Sequence, residues 1–503
     1  RQTALRCMRT AAMDDYFFNE IKSHPVPQFL LGWRDDSAPS ATFIMPLPDY
    51  GARKRRLSWM IFAIMRSPYT NKRGDAMHDT TIATKLLGQL KAFLGRISPH
   101  FSKPVARFIG DMMYGIMKEK DVKLSSVVRA LKEETSPKKV EDRLCRMLSA
   151  KGLESGLHDV IAAEGARRVR RDTLIILDPS DVQKPYAKKM EYLAKVWDGS
   201  RGDVGDNLGF WGCMAVACES GGRRPVPLHF RLWSADSPGF VGENDEVEGI
   251  VRTMSRHTKR RGICVYDRGG DNIGFYRFLL SEGLDFIVRL KERYVRSWKR
   301  TVMCGELAWQ CRMPCRGVVK FDHHGEEKRV TVEFGVVPVR LPDIPDRLLH
   351  MVVVRGFGKK PMMLLTTLAR NTSRAALWQV VEGYITRWRV EDTIRHVKQS
   401  YRLEDIRLFR YGKLKAMAAV VLATVYFSMA WIGNSQKHEA IARSIARMSF
   451  RIHGVPDFHF YAIADGASDV LKGRGGRWRG FDPAEAGKEA AAPLFEFFGL
   501  NTG

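Results

Sequence analysis

The chain has 503 residues, with 82 Lys plus Arg against 56 Asp plus Glu and a formal charge of +26 at neutral pH. With 45% hydrophobic and 27% charged residues it can bury a large core, which excludes a small cross-linked module, and its basic excess argues against an acidic small-molecule enzyme. A polyanion partner suits that charge, because each phosphate neutralised by Lys or Arg releases condensed counterions; a merely soluble basic protein would share it.

Residues 1–75 mix Pro, Ser and Asp with one short apolar patch, Trp59 to Met65, and read as an extension without a nameable fold. Arg1 to Tyr16 lacks an apolar core of signal-peptide length, so export is not expected. Over 76–165, Leu86, Leu87, Leu90 and Leu94 recur at helical spacing, as do Phe108, Ile109, Met112, Met113, Ile116 and Met117, which predicts a helical DNA-binding domain. Within it, Leu124 to Leu131 forms one short helix, and Ser136 with Pro137 is expected to cap the next, which carries Lys138, Lys139, Arg143 and Arg146. Such a pair resembles a helix-turn-helix reader of DNA, and a solvated basic face reads equally well.

From Arg171 the period becomes extended. Strands are expected at Leu174 to Leu177, Phe210 to Cys218, Val226 to Trp233, Gly262 to Tyr266 and Leu284 to Leu290, with helices near 246–257 and 272–282, giving the first part of an α/β core over 166–290. Residues 291–367 carry further β-prone runs broken by prolines and read as an inserted β subdomain. Strong helix returns over 368–435, including one continuous helix from Ala375 to about Ser400 and an apolar helix after Lys413 that reads as buried rather than membrane-spanning. Residues 436–503 read as a helical region with a flexible basic tail at Lys472 to Gly480. Eight irregularly spaced cysteines indicate a reducing compartment, and Cys304, Cys311 and Cys315 followed by His323 and His324 lack the paired spacing of a zinc finger.

Two apolar strands end in aspartates, Asp178 and Asp267, where ligands gather at the carboxyl ends of an α/β sheet. Either alone is an ordinary turn residue, and Asp181 competes with Asp178, which is favoured because it closes the strand. On a helix, Tyr384, Arg387, Glu391 and Lys398 project from one stripe, with Arg395 and Trp388 beside it. Arg387 and Arg395 also stand at the i±4 offsets of a surface salt-bridge ladder with Glu391, but a ladder does not need the two rings. Two strand-end carboxylates and one on a helix form the smallest protein ligand set for two hard cations flanking a phosphodiester.

These residues resemble the DDE transposases of insertion-sequence family four. The spacing of Tyr384, Arg387, Glu391 and Lys398 is similar to that family's Tyr-x2-Arg-x3-Glu-x6-Lys motif, preceded in the family's order by Leu-Asp-Pro-Ser at 177–180 and Val-Tyr-Asp-Arg at 265–268. The resemblance runs from about Ile82 to Trp431. It implies an RNase H-like catalytic core with a β-strand insertion before the catalytic Glu, preceded by the helical DNA-binding domain and followed by a helical C-terminal region. It further implies Asp178, Asp267 and Glu391 as the catalytic and metal-binding triad, with two magnesium ions that manganese can replace. Tyr384, Arg387, Lys398, Arg289 and Lys291 resemble the family's DNA contacts, with Arg395 and Trp388 beside them. Double-stranded DNA, as terminal inverted repeats and target, is the implied partner, with a homodimer in the DNA-bound complex, no membrane, and a bacterial cytoplasmic, nucleoid-associated location. One position departs from the pattern: Met362 and Met363 precede Leu364-Leu365-Thr366 where relatives place a base-stacking Trp, which weakens the case for hairpin intermediates. An inactive DNA-binding relative and a nuclease without strand transfer are the other readings.

Overall fold

Leu174 to Leu177, Ile263 to Tyr266 and Phe286 to Val288 are uninterrupted apolar runs, the pattern of parallel strands covered on both faces. In the computed structural model, which describes residues 72–484 apart from 197–206, 324–325, 370 and 450–457, they form the centre of a twelve-stranded sheet. The expected extension over 1–75 lies outside the described residues, except that the first helix already begins at Lys72. In chain order the strands are β1 (Leu174–Gln183), β2 (Ala194–Lys195), β3 (Leu208–Cys218), β4 (Val226–Trp233), β5 (Ile263–Tyr266), β6 (Asp285–Arg289), β7 (Tyr294–Ser297), β8 (Arg300–Met303), β9 (Cys315–His323), β10 (Glu326–Leu341), β11 (Ile344–Arg355) and β12 (Met362–Thr366). The helices are α1 (Lys72–Ile97), α2 (Lys103–Glu119), α3 (Leu124–Leu131), α4 (Pro137–Met147), α5 (Leu153–Ala166), α6 (Glu243–Thr258), α7 (Ile273–Ser281), α8 (Cys304–Gln310), α9 (Arg374–Thr386), α10 (Trp388–Tyr401), α11 (Tyr411–Tyr426), α12 (Glu439–Arg447) and α13 (Phe460–Gly473).

The strand order β4-β3-β1-β5-β6 carries the site. β3 is antiparallel to β1 along its whole length and β4 is antiparallel to β3, while β5 is parallel to β1 and β6 parallel to β5. A meander followed by two parallel additions is consistent with the RNase H-like core that the resemblance implies. The β-prone runs after Lys291 extend this sheet: β12 pairs with β6, and β11, β10, β7 and β8 follow it. Pro338 is accommodated within β10, opposite His350, and does not break that strand.

Helices cover this sheet. α11 and the π-helical turn that continues it to Gly433 form the one described helix long and apolar enough to cross a membrane, but 89% of its apolar window is buried against protein. Phe93 of α1 packs its ring against Tyr426, Phe427 and Trp431 at 5.9, 5.6 and 5.4 Å, which ties the N-terminal helices to α11. Burial of each such side chain contributes about 1.5–3 kcal/mol. The helix pair expected near 124–147 is present, although Ser136 makes no side-chain cap bond and Pro137 alone marks the start of α4.

The expected flexible tail is packed instead. Trp478 stacks on Tyr114 at 4.5 Å between ring centroids and donates Nε1–H to Asp111 Oδ1 at 2.8 Å, and Phe481 is also buried. Glycine and arginine content suggested a linker, but Trp478 within that stretch and Phe481 just beyond it pack on α2.

Candidate active site

Register brings the strand-end residues together. Ile176 of β1 faces Val265 of β5, and Tyr266 faces Val288 of β6. Asp178 and Asp267 follow two residues beyond the last paired position of β1 and β5, near enough for the Asp267 charge to act on the Asp178 carboxyl, and Arg289 follows Val288 at the same end of β6. β1 does not end at Asp178 as expected; it runs on to Gln183 through its pairing with β3, and only its parallel pairing with β5 stops before the aspartate. Asp267 also accepts the Gly269 N–H at 2.7 Å, capping a short 3-10 turn.

The third element differs from the single helix expected over 375–400. It is two helices, α9 and α10, joined at Arg387, which keeps helical angles (φ −51°, ψ −33°) while its N–H bonds to Tyr384 only three residues back. The break lets α9 pack on β5, β6 and β12 while α10 packs on β1 and β3, so the junction lies over the aspartate pair. Gly383 permits the close approach, because a Cβ there would meet Ile287 Cδ1 at 3.0 Å and Leu174 Cδ2 at 3.3 Å.

Arg387 fills the centre. Its Nη2 lies 2.7 Å from Glu391 Oε1 and its Nη1 lies 3.4 Å from Asp178 Oδ1, with the side chain only 11% exposed. Burial holds the Asp178 carboxyl well above the usual carboxylate range; Arg387 pulls it down, while Glu391 and Asp267 push it up. Burial works against the charge on Arg387 too, yet the surrounding Tyr384, Glu391, Asp178 and Asp267 raise its pKa. Burial also raises the Tyr384 phenol, opposed by Arg387 and by Arg289, which hydrogen-bonds the ring hydroxyl.

The other predicted residues are distributed as follows. Lys398 does not face Glu391: it reaches Asp181 at 3.2 Å and Glu404 at 3.1 Å. Asp181 additionally accepts from Gln183 at 2.7 Å, so the competitor of Asp178 is engaged away from the aspartate pair. Arg395 pairs with Asp392 at 3.4 Å rather than with Glu391, and Trp388 is 39% exposed. The Lys291 N–H donates to Asp271 at 2.6 Å, and Met362 begins β12 two residues from Leu364, the partner of Arg289, at the same edge. Glu243, in the first turn of α6, interacts with both Asp267 and Lys291 and was not anticipated; the acidic start of that helix, Gly-Glu-Asn-Asp-Glu, was its signal. On α4, Lys139 and Arg146 are exposed, Lys138 pairs with Asp142 at 3.1 Å, and Arg143 turns inward to Glu133 at 2.5 Å and Asp111 at 3.5 Å.

Among the described residues no three acidic, His or Cys side chains stand as a ready metal cluster. Asp178 and Glu391 share the Arg387 guanidinium as countercharge instead. The donor set itself, carboxylate oxygen throughout, fits a hard divalent cation such as magnesium or manganese and not a thiophilic one.

Comparison with known proteins adds to this geometry. The Transposase DDE domain family matches residues 170–427, which include both aspartates, Arg387 and Glu391. Curated proteins give no match. A piggyBac transposase in a synaptic complex with hairpin DNA, solved by cryo-EM, is similar at 13% identity and a TM-score of 0.38, covering 77% of this chain and 72% of that one. With the family match spanning half of its length, the chain belongs to the transposases that carry a DDE domain.

Proposed function

We propose that the protein is a cut-and-paste transposase of insertion-sequence family four, which cleaves DNA at terminal inverted repeats by metal-dependent hydrolysis and joins the freed ends to target DNA. The observation that carries this reading is the convergence of Asp178, just past the β1–β5 pairing, with Asp267 and with a helix junction whose Arg387 links Asp178 to Glu391.

Asp178, Asp267 and Glu391 would hold two magnesium ions, replaceable by manganese, and these would supply Lewis acidity to the scissile phosphate and its nucleophile. Arg289, Lys291 and Tyr384 gather at the same edge and would orient the phosphates on either side for in-line attack. Hydrolysis forms one bond from water oxygen to phosphorus and breaks the bond from phosphorus to the 3′ oxygen, leaving a 3′-hydroxyl. In strand transfer that hydroxyl attacks a target phosphate, whose own 3′ oxygen departs, so the number of phosphodiesters is conserved. Trp388 and Arg395, exposed on α10, suit contacts with the flanking duplex, as does Lys398 once its carboxylate partners release it. Met362 offers a poorer stacking surface than an aromatic ring, so hairpin formation is the least supported step. Lys138, Lys139 and Arg146 on α4 suit recognition of the inverted repeats, Arg143 being committed inward. Paired ends call for a homodimer, and the site of action is the bacterial cytoplasm at the nucleoid.

Linear DNA bearing the element's ends, incubated with the full chain and magnesium, tests the reading. Nicked and then joined products are expected from the wild type, and neither from Asp267→Ala or Glu391→Ala, both of which keep DNA binding. Full cleavage by either variant removes the mechanism.

A further inference from the structure

The short hairpin of β7 and β8 lies outside the carboxylate site, and its composition is unusual for an exposed edge. Along β7 exposure alternates: Val295 and Ser297 face inward, while Tyr294 is 62% exposed and Arg296 is exposed beside it. Thr301, opposite Arg296 in the pairing, adds to the outer face. At the turn, Trp298 is 90% exposed and has φ +55°. A bulky ring in the left-handed region costs about 1–2 kcal/mol, at a hairpin position where Gly, Asn or Asp is the usual occupant. A residue that is strained and also leaves its ring in water contributes little to the fold in return.

Charge identifies what such a tip would meet. Arg296, Lys299 and Arg300 surround Trp298 in the sequence, and none of the three forms an ion pair among the described residues. The one acidic residue from Lys291 to Met303, Glu292, is turned back to accept the Gly305 N–H at 2.9 Å. The root of the hairpin is fixed to the catalytic edge, because Asp271, four residues after Asp267, accepts from both the Lys291 N–H and the Arg293 guanidinium. The root of the hairpin is therefore held to the segment that follows Asp267, while β12, β11 and β10 stand between β6 and β7 in the sheet.

We propose that the β7–β8 hairpin is a second DNA-docking element: a two-stranded ribbon that enters the major groove of duplex DNA beside the catalytic edge, with Arg296, Lys299 and Arg300 on the phosphates and the Trp298 ring against the base edges. A ribbon of this width fits that groove. The proposal rests on the transposase reading for its DNA and adds the surface that receives the flanking duplex.

Binding of the full-length chain to a random-sequence duplex, followed by fluorescence anisotropy across a salt series without divalent metal, tests it. Replacing Arg296, Lys299 and Arg300 together by Ala should lower the slope of log affinity against log salt by about 2–3, since each lost phosphate contact removes about 0.9. Trp298→Gly should weaken binding about tenfold and at the same time raise Tm by relieving the turn. A wild-type slope in the triple variant overturns the proposal and leaves the transposase reading intact. A fall in Tm with Trp298→Gly makes the ring structural and also overturns it. Failure of the wild-type chain to bind duplex at all sinks both.

Discussion

Arg387 reaches Asp178 with one Nη at 3.4 Å while the other holds Glu391 at 2.7 Å, so a single guanidinium bridges two carboxyl groups delivered by a strand and a helix. Its own Nε is buried without a hydrogen-bond partner, so the arrangement is not optimised for stability alone. Removing the cation leaves Asp178 buried beside Asp267 and Glu391, and breaking a buried pair from one side costs about 3–5 kcal/mol. Because Glu391 is about a third exposed (32%), the lower end applies. Arg387→Ala should lose about 3 kcal/mol in metal-free urea unfolding, and added magnesium should restore part of that loss. An unchanged unfolding midpoint would show that the guanidinium is not the countercharge.

Asp178 and Asp181 separate experimentally. Asp178 feels the charge of Asp267 and contacts Arg387, whereas Asp181 is held by Lys398 and Gln183. Asp178→Asn should eliminate DNA cleavage, and Asp181→Asn should retain it within about tenfold, a loss of about 1.4 kcal/mol in transition-state stabilisation. The reverse ranking in a nicking assay would move the first ligand to Asp181. The same Asp178→Asn variant carries a pH prediction. An acid whose native pKa is raised costs stability as pH climbs from its unfolded value through its native one, and the full cost is present above that window. Asp178→Asn should therefore unfold at a higher temperature than wild type near neutral pH, and the difference should vanish as pH falls to about 4.

The pieces legible in the sequence were those governed by local pattern. Apolar runs located β1, β5 and β6, and the helical offset of four placed Arg387 against Glu391. What escaped was set by tertiary packing. Nothing in the text from Ala375 to Ser400 marks a break, because Arg387 remains helical; the interruption arises from seating α9 and α10 on different strands. Lys398 shares the expected stripe, yet Asp181 and Glu404 lie close enough to capture it. The segment from Lys472 to Gly480 has linker composition, and only the pocket formed by Tyr114 and Asp111 reveals Trp478 as an anchor.

Trp478 should accordingly dominate the attachment of the C-terminal segment. Truncation of a buried aromatic ring costs about 3–5 kcal/mol, and here the Asp111 carboxylate would also lose a donor in a buried site. Trp478→Ala should lower Tm and open the chain to proteolysis just after Lys472, while Trp478→Phe should keep the stack and lose only the hydrogen bond. Equal protease resistance in wild type and Trp478→Ala would mean that the segment is held elsewhere.

Asp111 sets a pH dependence for that same contact. It is 2% exposed, and burial raises its pKa from 3.8 to about 6 against the opposing pull of Trp478 and Arg143. The native state thus keeps the proton longer than the unfolded chain. Stability is lost as pH rises from about 4 through about 6, and the difference corresponds to at most about 3 kcal/mol above that window. An asparagine at 111 removes the charge but retains an amide oxygen to accept the Trp478 N–H. Asp111→Asn should therefore be more stable than wild type at pH 7.5 and nearly equal to it at pH 4, measured by urea unfolding at both values. Stabilisation that is the same at both, or a loss at pH 7.5, would show that the buried carboxylate is compensated by Arg143 and that its ionisation is not what limits the packing of the tail.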